Sequence, residues 1–447
     1  MRTESFPAGY LEQLLALSGM DVPRYLQSMD APRVRALRLG TCKMPYDTAK
    51  KAAPCVEPIP WEAGAYVAAE DFHGSDIAHR IGAYYMQEPS AMLPVAALSW
   101  DKSWRVLDLC ASPGGKTHQL ACRLSDGFLV SNEISPSRAR TLLSNVERMG
   151  ISRAAVTNAA PKTLADGLGA VFDAVLCDAP CSGEGLFRRD AEAMNEWSPE
   201  RSLGCAQRQL EILEQADRLL KAGGYLVYST CTFAKAENED VIAAFLKTHD
   251  YEIREASAAV QEHTLPGESG MTQARRYYPY LGCGEGQFLC VLQKCGGAEK
   301  TARIRRSAAI EPPRDALAEA KAYLKETIGS VPGEIMQQGN AIVLVPTEAV
   351  ELPDALKTLR FGTAIGTFER GKFQPHHHFF SAFGNLFLEK IELASDDPQA
   401  TVYLHGEELG TALPDGHAAV MIDGCAAGGV RVRKCRAKNL YPKGLRR

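Results

Sequence analysis

Apolar and polar positions along the chain change period several times, and each change marks an element. Near the start, Tyr10-Leu11, Leu14-Leu15 and Leu17 recur at helical spacing and stop near Gly19. Two strands are expected next, over 34–39 and 61–69. From residue 105 onward, short aliphatic or β-branched runs alternate with amphipathic stretches. The runs predict strands over 105–110, 128–133, 154–158, 172–178 and 225–229. The stretches predict helices over 115–124, 136–149, 201–221 and 237–248, with late strands near Tyr251 and over 288–292. This alternation argues for an α/β fold with a doubly wound, mostly parallel sheet. A polar stretch over 296–314, with Gly296-Gly297, basic residues and Pro312-Pro313, reads as a linker. A helix over 315–326 follows, then short strands between Gly turns, such as 341–345 and 418–422. The expected units are an N-terminal α+β extension over 1–90, an α/β domain over 91–295, and a small C-terminal α+β module over 315–447.

At 447 residues, 45% hydrophobic and 23% charged, the chain has the size of several domains and an ordinary globular composition. With no apolar run of 18 residues and no signal-peptide stretch, neither a membrane span nor export is expected. Thirteen cysteines, an odd number with no Cys-x-x-Cys pair, then suggest free thiols in a reducing cytoplasm. A net charge of −4 looks unpromising for nucleic acid, but the distribution changes that picture. Eight Lys/Arg and no acid fall between 431 and 447, and Arg303, Arg305 and Arg306 form a second cluster. Such patches track a phosphate backbone by releasing counterions; a solvated tail and linker are the plain alternative.

Candidate chemistry gathers after the predicted strands. Leu107-Asp108-Leu109-Cys110-Ala111-Ser112-Pro113-Gly114-Gly115-Lys116-Thr117 joins a strand to a helix. Glycines there let a ligand approach the backbone, and a helix start offers free N–H donors. The spacing is neither GxGxxG nor a P-loop, so dinucleotide and ATP readings lose ground. Glu133 ends the next strand, where a carboxylate can bind both hydroxyls of a ribose. Turn plus carboxylate fits an adenosyl cofactor such as S-adenosylmethionine; the alternative is a helix start whose glycines serve close packing.

Two cysteine segments about fifty residues apart also follow predicted strands: Asp178-Ala179-Pro180-Cys181-Ser182-Gly183-Glu184-Gly185 and Ser229-Thr230-Cys231-Thr232-Phe233. Thiolate attack on C6 of a cytosine makes C5 nucleophilic enough to take a methyl group from a sulfonium. The adduct must then lose the C5 proton and expel the thiol, which a second cysteine or its water can assist. Asp178 is placed to hydrogen-bond the cytosine amine or N3. Cys110, Cys122, Cys177 and Cys205 read as small, inert core residues. His376-His377-His378 lacks a Cys or acid cluster to complete a metal site, so a surface or RNA-facing loop is expected, and no metal. Tyr277, Tyr278 and Phe288 read as core in preference to base-stacking platforms.

These segments, together with Gln87-Glu88-Pro89-Ser90-Ala91 and Glu237-Asn238-Glu239, resemble the Sun/Fmu family of RNA cytosine-5 methyltransferases, in its RsmF-like ribosomal RNA branch. Lys438-Asn439-Leu440-Tyr441-Pro442-Lys443-Gly444-Leu445-Arg446 resembles the end of that branch's RNA-binding module. The resemblance implies a Rossmann-like S-adenosylmethionine-dependent methyltransferase core with a C-terminal PUA-like RNA-binding module. It implies Cys231 as nucleophile and Cys181 as the residue that helps release the product. It implies S-adenosylmethionine held by Cys110, Ala111, Ser112, Pro113, Gly114, Gly115 and Lys116, by Glu133 and Arg138, and by Asp178, with Lys116 near both cofactor and cytosine. The implied substrate is RNA of the small ribosomal subunit, and a monomer is expected. Alternatives are transfer RNA, DNA with attack moved to Cys181, and a non-catalytic assembly factor. The chain departs from the family pattern at three places. Gly40 stands where many relatives carry Asn. Asn158-Ala159-Ala160 offers no carboxylate to an adenine, so Asn158 or a backbone N–H must serve. Arg276-Tyr277-Tyr278-Pro279-Tyr280 lacks the His of an Arg-x-x-Pro-His segment.

Overall fold

The computed structural model describes residues 6–69, 72, 74, 76–297, 306–369 and 371–446. Arg303, Arg305 and Arg447 lie outside the described residues. At the centre is a ten-stranded sheet. Its main strands are β1 (Arg105–Asp108), β2 (Phe128–Asn132), β3 (Ala154–Thr157), β4 (Phe172–Asp178), β5 (Leu220–Thr230) and β6 (Gln287–Lys294). They run in the spatial order β3-β2-β1-β4-β5-β6, with β1 to β5 parallel and β6 antiparallel to β5. Leu107 opposes Val175, which opposes Leu226, so an unbroken aliphatic row crosses the sheet. Near-continuous apolar strands are what a parallel sheet covered on both faces requires.

The covering helices are α1 (Gly115–Ala121), α2 (Pro136–Arg148), α3 (Pro161–Leu168), α4 (Pro199–Leu219) and α5 (Glu239–Leu246). α2 buries Ala139, Leu142 and Val146 at helical spacing. α4 starts where Ser198 accepts from the Arg201 N–H and Pro199 occupies the first turn. The strand order reverses between β1 and β4, and the crevice opens outside their carboxyl ends.

The N-terminal unit opens with two short helices, Tyr10–Leu15 and Val22–Ser28, and carries an antiparallel sheet. Tyr10 and Tyr25 pack with Phe187, Trp197 and Phe233, so these helices roof the two cysteine segments. Gly40 sits where a Cβ would lie 2.4 Å from the Gly82 carbonyl oxygen, which explains why no Asn stands there.

The C-terminal region holds two sheets, which the pattern of short strands did not separate. One joins Glu334–Gln338, Ala341–Val345, Thr363–Glu369 and Lys372–Pro375; the other has five strands, including Gly416–Ile422, Cys425–Arg433 and Arg436–Asn439. Thr358–Phe361 pairs antiparallel with β3 and extends the central sheet. Within 296–314, Ala309 is buried and Ile310 bridges Gln337, so that part of the stretch is built into the fold. The basic segment after residue 431 forms strands with a turn between them.

The histidine run departs from the surface or RNA-facing loop expected of it. His376 caps the helix His377–Phe383 by accepting from the His378 N–H, and His378 is fully buried with Nε2 3.2 Å from the Ile151 carbonyl oxygen. Phe379 and Phe380 behind it belong to the core, and burying them carries the histidines inward. Tyr277, Tyr278 and Phe288 are buried core residues, as expected. Among the described residues, no helix is long and apolar enough to cross a membrane.

Candidate active site

The ends of β1, β2 and β4 enclose a cavity of about 670 Å³. Its wall takes Cys110 and Ser112 from the turn after β1, Glu133 and Arg138 from the segment after β2, and Asp178, Cys181 and Cys231 from the ends of β4 and β5. Ala111, Pro113, Gly114, Gly115 and Lys116 are not among the residues that line it. Gly114 has φ +112°, and a Cβ on Gly115 would come 3.2 Å from Gln87 and Tyr85. The glycines therefore serve the turn conformation and close packing against the N-terminal unit, while Cys110 and Ser112 face the ligand space.

Glu133 is almost fully buried. Its carboxylate accepts from the Ser135 N–H at 2.9 Å and lies 3.5 Å from the Arg138 guanidinium. Arg138 in turn donates to the Ser112 carbonyl oxygen at 3.0 Å. Asn158 does not reach the cavity. Its amide donates to the carbonyl oxygens of Glu133 and Ile134 at 2.7 and 2.9 Å, so it shapes the loop that presents Glu133. Ile134, 63% exposed, and Pro161 add apolar wall that motif reading missed; an exposed isoleucine directly after a strand-end carboxylate was the available signal. A carboxylate for a ribose, an apolar wall for a base and acidic groups for a cation fit an adenosyl sulfonium.

Lys116 starts α1 and reaches across to Asp178 at 2.7 Å. Burial pulls the Lys116 ammonium down, but Asp178 outweighs it and holds the group above its ordinary value. Ser229 Oγ and Gln287 Nε2 donate to the other Asp178 oxygen at 2.7 and 3.2 Å. Neither was anticipated; Gln287 comes from β6, far along the chain.

The thiols of Cys181 and Cys231 stand 3.2 Å apart. The bond to Cys231, with burial behind it, pushes Cys181 well above the usual thiol range. Either thiol can donate across this contact, so the geometry sets the two sulfurs side by side at the cavity wall. Two buried glutamates fix this geometry reciprocally. Glu184, from the Cys181 segment, accepts from the Phe233 N–H at 2.8 Å. Glu237, beyond the Cys231 segment, accepts from the Ser182 N–H at 3.0 Å. Ser182 and Thr232 hydroxyls join at 2.9 Å between them. Underneath, buried Arg276 pairs with Glu239 and donates to the Phe233 carbonyl oxygen at 2.8 Å. Tyr280, in place of the family His, accepts from the Asp21 N–H at 3.1 Å and carries Arg24 over its ring. It anchors the roofing helix Val22–Ser28.

Comparison with known proteins covers all of these parts. Family models match over residues 95–293 (16S rRNA methyltransferase RsmB/F), 6–89 (N-terminal domain of 16S rRNA methyltransferase RsmF), 322–383 (RsmF rRNA methyltransferase first C-terminal domain) and 390–447 (methyltransferase RsmF PUA domain). The ribosomal RNA small subunit methyltransferase F of Klebsiella pneumoniae is 30% identical over 480 residues, covering 99% of this chain and 97% of that protein. The protein of that name from Salmonella paratyphi A is 39% identical over 258 residues, and that match spans only about half of the relative, 54% of its length. Among solved structures, a methyltransferase homolog from Pyrococcus horikoshii is 28% identical with a TM-score of 0.53, over 64% of this chain and 94% of that one. NSun6 from Pyrococcus horikoshii shares the fold at 19% identity and a TM-score of 0.57, over 66% of this chain and all of that one.

Proposed function

The chain belongs to the RsmB/F family of 16S rRNA methyltransferases, in the RsmF branch, and we propose that it methylates C5 of a cytosine in small-subunit ribosomal RNA. The observation that carries the reading is the thiol pair. Two cysteines 3.2 Å apart share one cavity with Glu133 and with Asp178, which Lys116 pairs at 2.7 Å. A binding module has no need of two apposed thiols.

S-adenosylmethionine, when bound, supplies the methyl group as an electrophile on a positively charged sulfur. Glu133, Arg138, Cys110, Ser112 and Asp178 are the residues that would hold it. Cys231 attacks C6 of the cytosine; the sulfur–C6 bond forms and the electron pair of the C5–C6 double bond becomes available at C5. Asp178, already ordered by Lys116, Ser229 and Gln287, hydrogen-bonds the cytosine amine or N3 as charge develops there. After C5 has taken the methyl group, Cys181 assists loss of the C5 proton. The C5–C6 double bond re-forms, and the sulfur–C6 electrons return to Cys231. A paired base must be unstacked to reach thiols at this depth, so a loop or locally opened strand is the natural target.

The C-terminal strands support an RNA partner. Arg431 stands opposite Lys438 and Arg433 opposite Arg436, all exposed. Like charges directly across a ladder destabilise it, so a phosphate backbone lying over them is the expected counter-ion. Glu408 meets Arg436 at 2.6 Å and leaves the other three for that role.

The test is methyl transfer from labelled S-adenosylmethionine to small-subunit RNA, small subunits and transfer RNA. Cys231→Ala is expected to form no covalent RNA adduct. Cys181→Ala is expected to accumulate one and to turn over about 10²–10⁴-fold more slowly, the range for losing a positioned acid–base group. Adduct with Cys231→Ala and none with Cys181→Ala would reverse the roles, and label on transfer RNA alone would move the substrate.

A further inference from the structure

A second thiol pair lies outside the catalytic cavity. Cys42 follows the strand Ala36–Leu39, and Cys122 ends α1; their Sγ atoms are 3.0 Å apart. His118, one turn earlier on α1, brings Nε2 to 3.5 Å from the Cys122 Sγ. The three possible ligand atoms lie within 4.8 Å of one another. Two chemistries suit such a cluster: a zinc-type site with two thiolates and an imidazole, or an activated dithiol.

The tautomer of His118 decides between them. Arg38 carries donors only. Its Nη1 stands 3.2 Å from His118 Nδ1, and equally 3.2 Å from the Gly115 carbonyl oxygen and Gln87 Oε1. Nδ1 therefore accepts, and Nε2 carries the ring proton. A protonated Nε2 points its hydrogen toward Cys122 and has no lone pair for a metal. A metal-bound histidine needs the opposite arrangement, an acceptor beyond its outer nitrogen. Arg38 also sets a permanent positive charge beside the cluster, held by Glu62 at 3.6 Å, which Arg123 shares.

These contacts favour an anion on sulfur. Cys42 touches Cys122 at 3.0 Å, and His118 Nε2 and the Arg38 charge face Cys122; these contacts pull the Cys122 thiol down against its burial. The same contact, with burial, pushes the Cys42 thiol up. Both residues are half-buried, which suits a small oxidant and excludes a bulky one.

We propose that Cys42 and Cys122 form a redox-active dithiol that closes to a disulfide on meeting a hydroperoxide. The Cys122 thiolate attacks a peroxide oxygen, the O–O bond breaks, and sulfenic acid and hydroxide (or alkoxide) result. Cys42 then attacks the Cys122 sulfur, the S–S bond forms, and the sulfenic oxygen leaves as water with the Cys42 proton. Two thiols lose two electrons and the peroxide gains them; with hydrogen peroxide the by-products are two waters. The bond ties the N-terminal unit to the end of the helix whose first turn carries Lys116. It therefore couples oxidation to the joint between the two units, whatever the RNA substrate proves to be.

The test uses the full chain, reduced, desalted, titrated with hydrogen peroxide, alkylated, digested without reductant and read by mass spectrometry. The Cys42–Cys122 peptide is expected to form about tenfold faster than any Cys181–Cys231 linkage, reflecting the stabilised thiolate. Cys42→Ser is expected to leave Cys122 as a dimedone-reactive sulfenic acid, and His118→Leu to slow closure by about tenfold. The wild-type comparison stands even where a variant folds poorly. The proposal is overturned if both thiols still alkylate after Cys181 and Cys231 have linked. It is equally overturned if the protein purifies with one equivalent of zinc that shields them.

Discussion

Asp108 ends β1 fully buried, with the Thr117 hydroxyl donating to one carboxylate oxygen and, among the described residues, no hydrogen-bond partner on the other. Burial pushes its carboxyl up to about 7. In the unfolded chain the same group ionises near pH 3.9. Between those values the folded state keeps a proton that the unfolded state has lost, so stability falls as pH rises through the window. Asp108→Asn removes this dependence. Its melting temperature relative to wild type is expected to climb between about pH 4 and 7 and to level off above. A difference that stays flat from pH 4 to 8 would mean that the carboxylate is charged in the fold. At this scale the motifs were legible for Lys116, Asp178, Cys181 and Cys231, because each sits in a short segment whose chemistry needs few neighbours. Cys122 reads from sequence as an inert core thiol, and the groups on which the proposed dithiol depends, Arg38 and Cys42, come from a remote part of the chain.

Elements carry the next level of precision. Each cysteine segment is a loop at a strand end, and each is held by a glutamate from the other's neighbourhood. Glu237 alone accepts from the Ser182 N–H, Gln209 Nε2 and Ser202 Oγ, all within 3.0 Å. Glu237→Gln presents an amide where donors already point, and is expected to cost about 1–3 kcal/mol of stability. Glu184→Gln disturbs the Phe233 N–H, Trp197 Nε1 and Gln13 Nε2 in the same way. Both variants are expected to lose turnover with little change in RNA affinity, read as kcat against KM in a methyl-transfer assay. The two effects are expected to be non-additive, since the residues hold one geometry. An unchanged kcat in either variant would reduce that glutamate to a purely structural role. Strand and helix periods made the central sheet legible, but the reciprocal bonds depend on which loops the sheet brings side by side.

The molecule as a whole is joined by contacts that no period announces. Buried Lys43 donates to the Ile81 and Arg148 carbonyl oxygens at 2.6 and 3.1 Å and to Ser381 Oγ at 3.0 Å. One ammonium thus links the N-terminal unit, the end of α2 and the C-terminal region. Lys43→Met takes the ammonium from both carbonyls and leaves the Arg148 oxygen with the Ser381 hydroxyl at 3.2 Å and the Ile81 oxygen with only the weak Cys425 thiol at 3.7 Å; a cost of about 1–3 kcal/mol and a lower melting temperature are expected. Equal melting curves would show that the joint contributes nothing. Charge belongs to this scale too. Replacing Arg431, Arg433, Lys434 and Lys438 by Ser is expected to weaken binding to small-subunit RNA. The slope of log K against log salt is expected to shrink by roughly 3, since each phosphate left unneutralised removes about 0.7–0.9 from it. An unaltered slope would remove these strands from the RNA interface.

Local chemistry and local period are properties of consecutive residues, and the sequence by itself determined them. They include the alternation that builds β1 to β5, the turn after β1 and the two thiol segments. Long-range pairing decided the rest. Thr358–Phe361 joins the central sheet, although nothing in its four residues names β3 as its neighbour. The histidine run went inward because the phenylalanines after it had a core to fill. Asn158 became a support for Glu133, and Cys122 acquired an anion's surroundings, through atoms supplied from distant segments. Desolvation and hydrogen-bond geometry act on whatever the fold brings together, so burial, charge state and partner identity emerge only once the chain has closed on itself.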